Sequence, residues 1–326
     1  MDLIESYKEE LQLIRKPWAK VWVAVFLVLL ILLPWYAPEH VVYVLTIIFI
    51  YTVGVQGQNL LIGYTGQISF GQNGFLAIGA FTFGHFVQHG VSWPIGVIAA
   101  GLAAGLFGLV VGFPSLRLKG PYLAIATMGF GIAVYQVFVN SELLSGGRMG
   151  LIIHKLTPLF GLSAINFNYY FNFIIAGLFT LLTYNIISSY MGRAFIAVRD
   201  NDIAAEVIGV NLTRYKLLSF FISSFYTGVQ GALYGLFMGY LEPNMFTFIE
   251  SITLFVAVII GGLASVEGSL MGAAFVILVP QLLSTYKEMV PVVYGVTILI
   301  ILIFEPLGLY GRWFKMRLYF RNWPFR

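Results

Sequence analysis

The stretch HVVYVLTIIFIYTVGVQGQNLLIGYTGQISFGQNGFLAIGAFTFGHFVQHGVSWPIGVIAAGLAAGLFGLVVGFPSL, from His40 to Leu116, contains no Asp, Glu, Lys or Arg. Roughly 20 apolar residues cross a bilayer once, so this run crosses it several times. Polar and turn-forming residues divide it at Gly63–Gln67 and Gln88–Pro94, which predicts spans near 41–63, 68–88 and 94–113. Composition extends the reading to the whole chain, since hydrophobic residues make up 59% and charged residues 10% of it, with a mean hydropathy of +0.88. Soluble domains carry about 25% charged residues, so too few charges remain here to cover a water-facing surface. The expected fold class is all-α: a polytopic transmembrane helical bundle with discontinuous helices.

Working outward, residues 1–20 mix Asp2, Glu5, Lys8, Glu9, Glu10, Arg15, Lys16 and Lys20 with apolar positions, the pattern of an amphipathic helix on the membrane surface. The run Val21–Ala37 ends in Pro34, Trp35 and Tyr36 rather than in a small-residue cleavage site, so it reads as a retained first span. After Arg117 and Lys119, further spans are expected at Tyr122–Asn140, Asn168–Tyr190, 216–240, 250–265, 268–284 and 290–305, about ten in all. Residues 306–326 form a basic tail with Arg312, Lys315, Arg317, Arg321 and Arg326, and Trp313, Tyr319 and Trp323 suit an interface. An even number of spans places both termini on one face together with fifteen of the eighteen Lys and Arg residues, leaving Arg148, Lys155 and Lys287 opposite. By the positive-inside rule that face is cytoplasmic, giving an N-in/C-in transmembrane body over 21–305.

Met191–Lys216 then stands out as a charged cytoplasmic segment between two charge-free runs, with Arg193, Arg199, Asp200, Asp202, Glu206, Arg214 and Lys216. Asn201 or Asp202 can cap a short helix through Ile203, Ala204, Ala205 and Glu206, which Gly209 and Asn211 can end. Such a helix, with small residues on one side, suits docking into a partner's groove; the plainer reading is a solvated connector.

Within the spans, the richest polar stretch is Gln56–Gly79, with Gln56, Gln58, Asn59, Gln67, Ser69, Gln72 and Asn73 among six glycines. Glycine at that density weakens a helix, so a broken or re-entrant helix is expected there, its amides facing a cavity on a translocation path. Close helix packing is the other reading of the glycines. Gly101/Gly105, Gly108/Gly112 and Gly231/Gly235/Gly239 read as helix-contact seams, and GGLASVEGSLMGAA (261–274) is a looser echo of the first glycine-rich block. The spans are expected to hold no buried ionisable residue, and hence no proton relay. There are no cysteines, and His85 and His89 lack a nearby carboxylate, so no metal or other cofactor is expected.

Four blocks, NLLIGYTGQISFGQNGFLAIGAF (59–81), KGPYLAIATMGFG (119–131), GRAFIAVRDNDIAAEVIGVNLTRYKLLSF (192–220) and IIGGLASVEGSLMGAA (259–274), resemble the permease subunits of branched-chain amino acid ABC transporters, in order and spacing. The resemblance implies a multi-pass subunit of the bacterial cytoplasmic (inner) membrane without catalytic residues, paired with a second homologous permease. Two ATPase subunits and an external binding protein for leucine, isoleucine or valine would complete it, with lipid around it and no nucleic acid. It implies that Arg193, Arg199, Asp200, Asn201, Asp202, Ala204, Ala205, Glu206 and Gly209 couple to the ATPase, and that Thr127 joins Gln56, Asn59, Gln67, Ser69, Gln72 and Asn73 on the path. No lysine follows a glycine, so the chain has no GxxxxGK[ST] phosphate loop and the motor lies elsewhere. Permeases for urea and short-chain amides look similar in the same blocks, and an ATP-independent carrier or channel is the alternative of another class.

Overall fold

A chain in hydrocarbon satisfies its backbone within each segment, which makes helices the outcome of every long apolar run. The computed structural model describes residues 17–118, 120–153, 163–305 and 308–322, so most of the expected surface segment 1–20, together with Lys155, Trp323 and Arg326, lies outside the described residues. A helix occupies each of the ten expected places. These are α1 (Pro17–Tyr36), α2 (Glu39–Asn59, continued by a wide turn at Leu60–Tyr64), α3 (Gln72–Gln88), α4 (Trp93–Ser115) and α5 (Pro121–Asn140) in the first half. After the single turn α6 (Glu142–Ser145) come α7 (Ala164–Ser188), α8 (Tyr190–Asp200), α9 (Asp202–Val207) and α10 (Leu212–Met238). The chain closes with α11 (Phe248–Gly261), α12 (Val266–Leu282), α13 (Val290–Phe304) and α14 (Gly308–Asn322).

By length and composition, four described helices suffice to cross a membrane: Glu39–Tyr64, Trp93–Ser115, Pro121–Asn140 and Ala164–Ser188. Shorter apolar helices, Ala24–Tyr36, Phe248–Gly261, Val266–Leu282 and Val290–Ile301, accompany them. The basic tail is itself helical over Gly308–Asn322, and Lys315 Nζ meets Glu305 Oε2 at 2.7 Å.

Helix α10 is the pillar of the bundle, packed chiefly against α4, α3 and α2. The glycine seams explain how closely they approach: Gly101, Gly105, Gly108 and Gly112 of α4 face Phe225, Phe221, Ser224 and Phe220 of α10. On α10, Gly231 lies against the backbone of Leu76 and Ala80, and Gly235 against Leu241. Gly239 departs from the expected seam, because at φ +74° it is the left-handed stop that ends α10. Gly79 of α3 and Gly228 of α10 meet backbone to backbone, and a Cβ on Gly79 would fall inside that contact. Gly79→Val should therefore destabilise the bundle by about 3 kcal/mol or more, the upper end for overpacking, since no flexible side chain can yield. A wild-type thermal midpoint for that variant in detergent would refute the contact.

Both glycine-rich blocks are helix breaks. Residues 65–71 leave helical geometry with Thr65, Gln67, Ser69 and Gly71 buried, Ile68 and Phe70 half-buried and Gly66 exposed, and Gly262–Ser265 turn the chain sharply between α11 and α12. Ala264 takes φ +55°, the left-handed region that a residue with a Cβ enters at a cost. Asn59 holds it there by accepting from the Ala264 N–H at 2.9 Å.

One expectation is corrected. Beyond Gly239 the chain pairs β2 (Tyr240–Leu241) antiparallel with β1 (Leu151–Ile152), then turns back through Pro243–Phe246. This return carries the first turn of α11 to the middle of α2, where Glu250 Oε2 accepts from the Tyr51 hydroxyl at 2.8 Å. An ionisable side chain is therefore held, partly buried, inside the bundle. Its position in sequence, at the expected edge of a span, concealed this because the return is made by a non-helical segment.

Candidate functional site

The charged segment folds as two helices at one end of α10, opposite the β1–β2 pair. Helix α8 starts at Ser189, whose Oγ accepts from the Met191 N–H. Asn201 caps α9 as expected, its Oδ1 accepting from the N–H groups of Ile203 and Ala204, both at 3.0 Å. Gly209 at φ +89° follows as the stop. Asn211 does not end α9; its Oδ1 accepts from the Arg214 N–H at 2.9 Å and so starts α10. Ala194, Val198, Ala205 and Val210 form a small core beneath.

Of the expected coupling residues, Arg193, Asp200, Ala204, Glu206 and Gly209 are exposed, whereas Ala205 is buried. Of the two alanines, then, only Ala205 faces inward. The free face carries Ile203, Val207 and Ile208, 72%, 82% and 75% exposed. Three bare branched residues on this short helix amid charges form an exposed apolar patch, whose sequence signal is apolar spacing within a charged segment. Asp202 Oδ2 meets Lys216 Nζ at 2.7 Å, tying α9 to α10. Arg199 ties it to the break: its Nη1 donates to the Gly63 carbonyl at 3.0 Å while Nε and Nη2 hold Asp200 Oδ1. Thr65, Gln67, Arg199, Asp202 and Lys216 line a cavity of about 140 Å³ between the two.

The expected path residues are all buried, and their polar atoms engage one another and neighbouring helices. Gln56 Nε2 donates to Thr180 Oγ1 at 2.7 Å, and Thr183 Oγ1 donates to Gln56 Oε1 at 3.3 Å. Gln67 Nε2 reaches Ser219 Oγ at 2.7 Å, and Gln72 bridges Ser223 and Thr227. Asn73 Nδ2 donates to the Gly131 and Phe246 carbonyls, and its Oδ1 accepts from Ser251. Thr127 Oγ1 accepts from the Phe70 N–H at 3.0 Å, and the Ser69 carbonyl accepts from Gln58 Nε2 at 2.9 Å. Asn59 Nδ2 donates to Ser265 O and Ser269 Oγ, both at 2.8 Å.

In this conformation the block is therefore a hydrogen-bonded clasp across the breaks. The partners that went unnoticed are hydroxyls, above all Ser219, Ser223 and Thr227, which rise one helical turn apart along α10. That spacing of four was present in LSFFISSFYT. The Gln58 Oε1, buried without a partner, is the one amide oxygen of the stretch left open among the described residues. His85 Nε2 lies 2.7 Å from the Leu144 carbonyl, and His89 Nδ1 2.8 Å from that of His85, so each ring has a backbone partner.

Known proteins resemble this chain in sequence. The family described as "Branched-chain amino acid transport system / permease component" matches residues 40–304. The high-affinity branched-chain amino acid transport system permease protein LivM of Escherichia coli (strain K12) is 30% identical, over 89% of this chain and 74% of the relative. LivH of the same organism is 32% identical over 133 residues, 40% of this chain and 43% of that protein. The permease protein BraD of Pseudomonas aeruginosa is 25% identical over 84% of this chain and 98% of its own. No solved structure matches the chain.

Proposed function

This chain belongs to the family of branched-chain amino acid transport permease components, and from that premise we propose that it forms half of the translocation path of an ATP-driven importer. The cargo is a branched-chain or similar apolar amino acid delivered by an external binding protein. A second, LivH-like permease supplies the other half, and two separate ATPase subunits hydrolyse ATP at the cytoplasmic face of the bacterial inner membrane. Helix α9 docks on an ATPase subunit through Ile203, Val207 and Ile208.

The observation that carries this reading is the Arg199 bond to the Gly63 carbonyl, at 3.0 Å. It joins the docking segment directly to the break between α2 and α3. Movement of α8–α9 under the ATPase is passed to Gly63 and thence to Gln67, Ser69, Gln72, Asn73 and Thr127, whose clasp with α5 and α10 opens and closes. Coupling of this kind requires that the ATPase favour one of the two arrangements through different contacts in each.

Uptake of labelled leucine into vesicles holding this chain with its partner permease, ATPases and binding protein tests the proposal. Uptake should require both ATP and the binding protein, and isoleucine and valine should compete. Transport by this chain alone would make it a carrier or channel, and urea uptake without leucine uptake would change the cargo.

A further inference from the structure

The clasp residues engage one another, but the first turn of α11 presents an acid that none of them uses. Glu250 Oε2 accepts from Tyr51 of α2 at 2.8 Å. Tyr234 of α10 and Tyr294 of α13 stand near enough to feel its charge, and the rings of Tyr51 and Tyr234 lie edge to face, 6.5 Å between centroids. Tyr51 falls at the middle of the span Glu39–Tyr64, so the carboxyl group sits near half depth. Among the described residues no cation forms an ion pair with it. It borders a stripe open on the surface of this chain, where Ile249 is 67% and Ile252 38% exposed. The neighbouring Ser251 holds Asn73 at the break.

A carboxyl group at mid-membrane without a cation is expensive, and such groups mark the routes of cargo. A carboxylate held by one tyrosine hydroxyl, with a second ring edge to face against that tyrosine, matches one chemistry closely: it accepts a charge-assisted hydrogen bond from an alkylammonium while a phenol ring attracts the same charge. Every α-amino acid carries that ammonium group, and urea and simple amides do not.

We propose that Glu250, with the Tyr51 hydroxyl and the neighbouring Tyr234 ring, receives the α-ammonium group of the amino acid as it crosses the middle of the membrane; this rests on the permease reading above. The site then sets the class of cargo within the membrane, independently of the binding protein. Tyr51 positions the carboxylate, and Glu250 makes the contact.

The test is labelled-leucine uptake by the complete transporter in proteoliposomes. Glu250→Gln keeps an oxygen to accept from Tyr51 and removes only the charge, so uptake should fall about tenfold or more while the assembled complex forms in wild-type amount. Glu250→Asp, which restores the charge, should recover most of that uptake. Wild-type uptake by Glu250→Gln would overturn the proposal. Failure of that variant to assemble would do so too, by making the acid structural, as would Glu250→Asp proving as inactive as Glu250→Gln. A wild-type complex that carries urea and no leucine would sink the amino acid reading and this site with it, a result visible in the control before any variant is compared.

Discussion

Placing Asp at both Ile203 and Val207 should abolish ATP-dependent uptake while leaving the protein folded and abundant in the membrane. Both side chains are more than two-thirds exposed in the chain by itself, so they contribute little to its own core. Their substitution should shift the thermal midpoint hardly at all, as expected for surface positions. In the proposed docking on the ATPase the same positions would be buried anchors, and loss of one such anchor costs about 2 kcal/mol or more, roughly 30-fold in affinity. Two anchors replaced by carboxylates in an apolar groove should bring coupling below detection. Glu206→Arg, on the same exposed helix, should act in the same direction. Co-purification of the ATPase with the variant at wild-type level, together with normal uptake, would reject α9 as the docking element.

The largest effect on stability is expected from Asn59→Leu. Asn59 is almost fully buried, and its two N–H groups serve three acceptors on the α11–α12 turn: Gly262 O at 3.4 Å, Ser265 O at 2.8 Å and Ser269 Oγ at 2.8 Å. Its oxygen accepts from Ala264, the residue held at positive φ. Leucine has a similar volume but leaves the Ala264 N–H without its partner, at about 1–3 kcal/mol, and removes three further bonds of about 1 kcal/mol each from groups that keep other partners, Ser265 Oγ for Gly262 O and Ser269 Oγ with Ser265 O. The sum is roughly 3–6 kcal/mol, a large share of what holds a membrane bundle together. Thermal unfolding in detergent should show a clear drop, and protease should gain access at Gly262–Ser265. Ser269→Ala removes the one bond its Oγ accepts from Asn59 and the one it donates to Ser265 O, and should cost about 1–2 kcal/mol. A variant Asn59→Leu as stable as wild type would mean that the turn is held by packing alone.

The helices were legible because their cause is local. A charge-free run of the right length has one stable form in hydrocarbon, and expected spans such as 41–63 and 122–140 differ from Glu39–Tyr64 and Pro121–Asn140 by two residues or fewer. The glycine density of Gln56–Gly79 correctly announced a break, and Asn201 announced the cap of α9. The charged segment Met191–Lys216 was legible for the same reason, since charges between apolar runs must sit in water.

What the residues around a break do to each other was not legible. Gln72 meets Ser223, and Asn59 meets Ser265 and Ser269, across separations of 151, 206 and 210 residues. No periodicity within a helix encodes such pairs. The amides expected along a path engage hydroxyls and carbonyls across the breaks, because a buried amide without water must find a partner wherever the fold brings one. The outward face of α9 likewise depended on which side its neighbours covered: Ala205 went down onto Ala194 and Val198, and the branched residues were left outside.

Membership of the membrane class, the places of the helices, the breaks and the charged segment followed from the sequence by itself, through hydropathy, glycine content and charge acting over a few turns of chain. The depth of each polar group was decided only in the tertiary structure. Glu250 stands at the edge of an apolar run in sequence, yet the return of the chain through Pro243–Phe246 sets it beside Tyr51 at the middle of α2. The energy of an ionisable group depends on the surroundings in which it ends up, and those are supplied by helices far away in the chain.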